Sequence, residues 1–209
     1  MFTLTKRAAW LILTISGAAM IAPPAASQAA DQALARAVVD LSSNACYGLA
    51  SGAIPAPDDR APDSIDQDMR VVGKMGLTFG VDDRMFKELG AAGQTLASRA
   101  TMGSKALDGG DVIVTFSGPQ PGCRVILLTA SPVMVTDFVT TGLAKAGWKI
   151  VPTMTAQRSG GERRAFVKRG EQGAPYLMNL WTITEPSSNI RLITTTIRIP
   201  AGVAIPPGF

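Results

Sequence analysis

The stretch RRAFVKRGEQGAPYLMNLWTITEPSSNIRLITTTIRI, Arg163 to Ile199, decides how this chain folds. It contains three runs, RRAFVKRG, PYLMNLWTIT and NIRLITTTIRI, each rich in β-branched and aromatic residues. Turn-forming residues (Gly, Pro, Ser, Asn) stand between them. Parallel strands need long crossovers, usually helical, and these gaps are too short for one. The three runs therefore read as consecutive antiparallel strands.

Working outward, WKIVPTMTAQ, Trp148 to Gln157, adds another strand and joins RRAFVKRG through Ser159-Gly160-Gly161. Before it stands the clearest helical pattern in the chain, SPVMVTDFVTTGLAKAGW. Ser131 is placed to cap it, Pro132 fits its first turn, and Gly147 ends it. Its packing face is Val135, Phe138, Val139, Gly142, Leu143 and Ala146. Earlier still, DVIVTF (Asp111 to Phe116) and CRVILLTA (Cys123 to Ala130) form a hairpin around the turn SGPQPG, and QTLASRATM (Gln94 to Met102) reads as a further strand. VVGKMGLTFGVDDRMFKELG, Val71 to Gly90, reads as a short extended piece, then a short helix capped by Asp82 and ended by Gly90 and Gly93. The segment 53–70 is acidic and proline-rich and reads as a linker. DQALARAVVDLSSNACYGLASG, Asp31 to Gly52, is a helix with Leu34, Val38, Leu41, Ala45 and Leu49 on one stripe, Asp31 as its cap and Gly52 as its stop.

Strands in runs, not alternating with helices, point to an α+β fold. The expectation is a single antiparallel sheet of about six to seven strands packed on two main helices, with one disulfide. Residues 31–209 then make one domain with an irregular tail at 200–209.

Residues 1–30 have the layout of a secretory signal peptide: Lys6-Arg7, the apolar stretch Ala8 to Ala22, and small residues around Ser27-Gln28-Ala29 or Gln28-Ala29-Ala30. Fifteen apolar residues rise about 22 Å as a helix, short of the roughly 30 Å hydrocarbon core. The reading is a cleaved leader with no transmembrane anchor left behind, and a periplasmic or, second, extracellular destination.

An oxidising compartment decides the cysteines. The chain has two, Cys46 and Cys123, and no histidine. A metal site needs three or four close ligands, and a reactive thiol usually needs a base. A Cys46–Cys123 disulfide is expected ahead of two inert thiols or a reactive one. It would set the first helix against the strand beginning near Cys123.

The missing histidine also removes the Ser-His-Asp triad and histidine acid–base catalysis. No nucleophile elbow, dinucleotide fingerprint or P-loop is present. The five aspartates of the linker lack the spacing of a calcium loop. Glu88, Asp108, Asp111, Asp137, Glu162, Glu171 and Glu185 are scattered and suggest no catalytic pair. No cofactor or metal is called for, and the reading leans away from an enzyme.

Charge is uneven. Asp31 to Asp83 holds nine acidic and four basic residues, while Arg84 onward holds fourteen basic and seven acidic. Either the acidic part folds back on the basic part, or the latter offers a surface to an anionic partner. The densest basic feature is the hairpin RSGGERRAFVKR, with Arg158, Arg163, Arg164, Lys168 and Arg169. Alternation puts Arg164, Phe166 and Lys168 on one face and Ala165, Val167 and Arg169 on the other. Arginines there suit phosphate or carboxylate groups; a merely solvated edge is the plainer account. Trp148, Tyr176 and Trp181 read as core aromatics unless exposed together.

The functional expectation is an exported, non-enzymatic binding or accessory protein of a bacterial envelope. Its partner would be an anionic envelope component or another envelope protein, not nucleic acid. A carboxylate-dependent envelope hydrolase and a structural subunit of an envelope assembly stand beside that reading.

Overall fold

The computed structural model describes residues 25–56, 64–97, 100–116, 122–129, 132–171 and 173–204. Residues 1–24, where most of the expected leader falls, part of the acidic linker, most of the SGPQPG turn, the expected cap Ser131 and the end of the tail lie outside the described residues.

One long helical rod opens the structure. It consists of α1 (Ala25–Asp40), a π-helical segment (Leu41–Cys46) and α2 (Tyr47–Ser51). The backbone stays helical through both junctions, and Gly52 ends the rod at φ 81°. Leu34, Val38, Leu41, Ala45 and Leu49 are all buried, as their spacing predicts. The rod starts six residues before Asp31, so Asp31 is not its cap. It lies within α1, 7 % exposed.

The 53–70 segment is not linker throughout. Ser64–Lys74 forms α3, with Asp66 in the first turn and Lys74 in the last, as the helix dipole favours. Val71 and Val72 are its buried side, so Val71 belongs to a helix and not to an extended piece. Gly76, at φ 71°, closes it: Leu77 N–H bonds to the Val72 carbonyl and Gly76 N–H to that of Gly73. A two-residue strand, β1 (Thr78–Phe79), follows. Next comes α4 (Asp83–Ala97), capped by Asp82 Oδ1 accepting from Met85 N–H. Gly90 breaks α4, at φ 63° and ψ −169°, but the chain resumes helix beyond it. QTLASRATM is therefore the tail of a helix and the start of a strand.

The remaining elements are β2 (Thr101–Leu107), β3 (Gly110–Phe116), β4 (Cys123–Thr129), α5 (Pro132–Lys145), β5 (Lys149–Ile150), a 3₁₀ turn (Pro152–Met154), β6 (Ala156–Arg158), β7 (Gly161–Arg169), β8 (Pro175–Ile183) and β9 (Ile190–Arg198). The end of α5 at Gly147 repeats the bonding seen at Gly76: Trp148 N–H reaches the Leu143 carbonyl and Gly147 N–H that of Ala144.

All nine strands among the described residues join one antiparallel sheet in the order β1-β2-β3-β4-β9-β8-β7-β5, with β6 also on the β7 edge. Six or seven strands are expected from sequence; the difference lies in the two- and three-residue strands β1, β5 and β6, too short to show a period. The helical rod and α5 cover one face, against Val112, Val114, Val125, Leu127, Leu180 and Leu192. On the other face α4 covers one end, where Met85 and Leu89 pack on Ile113, Ile126 and Leu128, and at the β7 edge Val151, Ala165 and Val167 form a small cluster with Met154 and Leu177. Cys46 and Cys123 are joined, Cα atoms 5.1 Å apart, pinning the π segment to the start of β4.

Candidate functional site

The pairing register sorts the basic hairpin into two sets. Arg163 pairs with Trp181, Arg164 with Leu180 and Lys168 with Tyr176. Leu180 and Tyr176 belong to the helix-covered core, so Arg164 and Lys168 lie on that side. Arg163 and Arg169 lie on the other side, and Arg158, opposite Gly161, shares it.

Arg164 and Lys168 are committed within the protein. Arg164 Nε and Nη2 donate to the two carboxylate oxygens of Glu162, each at 2.9 Å, and Nη1 donates to Thr140 Oγ1 at 2.9 Å. Asp137 lies 3.8 Å from the same guanidinium. These hydrogen bonds hold the Glu162 carboxyl below its ordinary value and the Arg164 guanidinium above its own. Lys168 Nζ donates to the Ala146 carbonyl at the end of α5, at 2.9 Å. It also sits over the rings of Tyr47, at 4.9 Å, and Trp148, at 5.8 Å. Burial, then the neighbouring Tyr176 and Glu171, raises the Tyr47 hydroxyl.

Arg158 and Arg163 do something else. Their guanidinium carbons stand 5.9 and 5.7 Å from the centre of the same ring, that of Trp181, which is half-exposed. Arg163 Nη2 donates to the Met154 carbonyl at 3.2 Å, which fixes the side chain, while its Nε is sealed from solvent and has no partner. Along the strand, Asn179 projects on the same face, and its Oδ1 is sealed and unpartnered too. Asn179 pairs with Thr195, and Thr195 with Arg124. Arg124 is thus a fourth arginine on this face, after Arg158, Arg163 and Arg169, and was missed by the reading of the sequence. Its signal is there in CRVILLTA, as the one charge alternating with buried Cys123 and Val125. The single carboxylate within β4 and β6–β9, Glu162, points to the opposite face. Trp148 and Tyr176 are core residues, 2 % and 4 % exposed, so of the three only Trp181, half-buried, reaches the surface.

One carboxylate pair does form, at the far end of the sheet. Arg84 Nη1 lies 2.6 Å from Asp111 Oδ2 and 3.3 Å from Glu88 Oε1, in a groove of about 280 Å³ shared with Arg191. The Asp111 contact raises the Arg84 guanidinium. That cation occupies the space where a paired-carboxylate hydrolase would hold water or the scissile bond. Among the described residues no group of three or more His, Cys, Asp or Glu is placed to hold a metal ion. None of their helices is long and apolar enough to cross a membrane. No family model, curated protein or solved structure matches the chain.

Proposed function

We propose that this is an exported, non-enzymatic binding or accessory protein of the bacterial envelope, acting in the periplasm. The leader pattern of residues 1–30 and the disulfide support export. Loss of residues 1–30 shortens α1 to start at Asp31, leaving a carboxylate at the positive end of the helix dipole. Met1 retained in the natural product, read by mass spectrometry, counts against this.

The site we assign to binding is the open sheet face at Arg158, Arg163 and Trp181, with Arg124 on the same face three strands away. The observation that carries it is the placement of two guanidiniums within 6 Å of the centre of one half-buried tryptophan ring. A ring beside the guanidiniums, and for Arg163 the bond to the Met154 carbonyl, orders side chains that in solvent would lose entropy on binding. It leaves the exposed Arg158 and the Nη1 of Arg163 to face a carboxylate or phosphate. Aromatic and arginine residues together also make up the strongest anchors of interfaces. The partner is therefore anionic, an acidic envelope glycan, lipid headgroup or protein.

The decisive comparison uses the purified mature protein on acidic polysaccharide resin, on phosphatidylglycerol vesicles and in crosslinking to intact envelope. Arg158→Ala with Arg163→Ala should lower capture by roughly tenfold, two charge contacts at about 0.7 kcal/mol each. Arg164→Ala should leave capture nearly unchanged. Equal loss from both variants, or from neither, removes the open face as the site.

A further inference from the structure

A second site lies on the opposite side of the molecule, where α1 and α5 meet. A groove of about 620 Å³ runs along their junction, within the usual range of small-molecule sites. The helices approach closely because residue 142 is glycine: a Cβ there would stand 2.7 Å from Val39 Cγ2. Ala35, Val39, Phe138, Gly142 and Ala146 make an apolar floor. Arg36 on α1 and Lys145 on α5 are exposed cations on its two walls. One carboxylate, Asp40, also lines the groove and accepts from Asn44 Nδ2 at 2.5 Å, so the two cations outnumber it.

The floor also carries an unmet donor. Ser43 is 5 % exposed, lines the groove, and its hydroxyl is sealed from solvent without a partner. A serine inside a helix ordinarily returns its hydroxyl to a carbonyl of the preceding turn; Ser43 does not. It sits in the π segment Leu41–Cys46, and such insertions recur at functional sites. Gly142 meets Val39, and Trp148, just past α5, meets Tyr47 at 6.2 Å. The two helices therefore run in the same direction, and Lys145 falls at the Ser43 end of the groove.

We propose that this groove binds a single-chain amphiphile with an anionic head, a long-chain carboxylate or alkyl phosphate. The tail lies on the Ala35–Phe138–Gly142 floor. The head sits at the Lys145 end, where the ammonium offsets its charge and the Ser43 hydroxyl donates to it. The Lys145 ammonium and the Ser43 hydroxyl, together at one end of the groove, suit one anionic head; a cationic head gains nothing from them.

Calorimetric titration of the disulfide-bonded protein with laurate, dodecyl phosphate, dodecyltrimethylammonium and inorganic phosphate tests this. Laurate and dodecyl phosphate should bind one per chain, and the other two should not. Lys145→Glu, on an exposed position, should weaken laurate by about tenfold or more, and Ser43→Ala by about threefold. Arg158→Ala with Arg163→Ala should leave laurate binding unchanged, which separates this groove from the open sheet face. The proposal is overturned if neither anionic amphiphile binds, if the cationic one binds as well, or if Lys145→Glu binds laurate like the parent. Binding to phosphatidylglycerol vesicles with none to laurate would also overturn it, since it assigns the anion to a bilayer surface.

Discussion

Arg164 and Arg163 are neighbours in the chain with opposite fates, and the pleat alone separates them. Arg164 faces the helices, where it must be paired: Glu162, two residues back on the same strand, gives it both carboxylate oxygens. Glu162 is held below its ordinary value of 4.5, first by those hydrogen bonds. A carboxyl group lowered by folding contributes stability above its unfolded value and loses it as pH falls through the folded one. Arg164→Met should therefore destabilise the protein at neutral pH, by about 1 kcal/mol for a half-buried pair. The gap between parent and variant should narrow as pH drops below 4.5. Urea unfolding at about pH 7 and about pH 3 checks this; a gap of the same size at both means that the ion pair contributes nothing. Arg163, on the other face, has no carboxylate partner: it donates to the Met154 carbonyl and leaves its sealed Nε unbonded, so the same substitution there loses one hydrogen bond, frees one unmet donor and should move stability little.

The elements themselves differ in how plainly they could be read. β7, β8, β9 and α5 follow directly from period-2 and period-3.6 patterns with turn residues at their ends, and their bounds fall within a residue or two of those patterns. α3 was hidden. Its first turns carry Asp66 and Asp68 beside a proline-rich tract, and Ile65 and Met69 are solvent-exposed, 66 % and 50 %. Composition there speaks for linker, while the helix is held by tertiary packing of Val71 and Val72. The π segment is equally silent, because one extra residue per turn leaves the apolar stripe almost intact. The site was half legible: alternation separated Arg164 from Arg169, but not which face the helices would cover, nor that Arg124 would arrive from β4. What lets α3 dock is Gly103 on β2. A Cβ there would stand 2.6 Å from Val72 Cγ1 and 3.1 Å from Leu77 Cβ. Gly103→Ala should thus cost about 1–3 kcal/mol. Gly73→Ala, on α3 itself with open space around its Cβ, should stabilise by roughly 0.5–1 kcal/mol. Thermal unfolding of the two variants should move in opposite directions; a shared direction would mean that α3 docking does not depend on that close approach.

At the scale of the whole molecule, the helical rod is held to the sheet by burial, by a hydrogen bond and by one covalent link. Ser42 Oγ and Thr194 Oγ1, 2.7 Å apart, tie the π segment to β9, and four residues on, Cys46 is bonded to Cys123. The disulfide spans 77 positions, from the first described helix to the fourth strand, so it closes most of the N-terminal half into one loop. Linking so distant a pair removes many unfolded arrangements, about 4 kcal/mol on the chain-entropy account. That is a large share of the 5–15 kcal/mol typical of a folded domain. Both sulfurs are fully buried among apolar residues. An alanine pair in their place loses the link and leaves little unmet polarity. Cys46→Ala with Cys123→Ala should therefore stay folded with the same helix and strand content, but lose about 3–4 kcal/mol in urea. Adding reductant to the parent should reproduce most of that loss, and the double variant should ignore reductant. An unchanged urea midpoint in the variant would show that burial of the rod alone fixes it to the sheet. Two thiols open to alkylation in the native protein would show that the bond is absent in the natural fold.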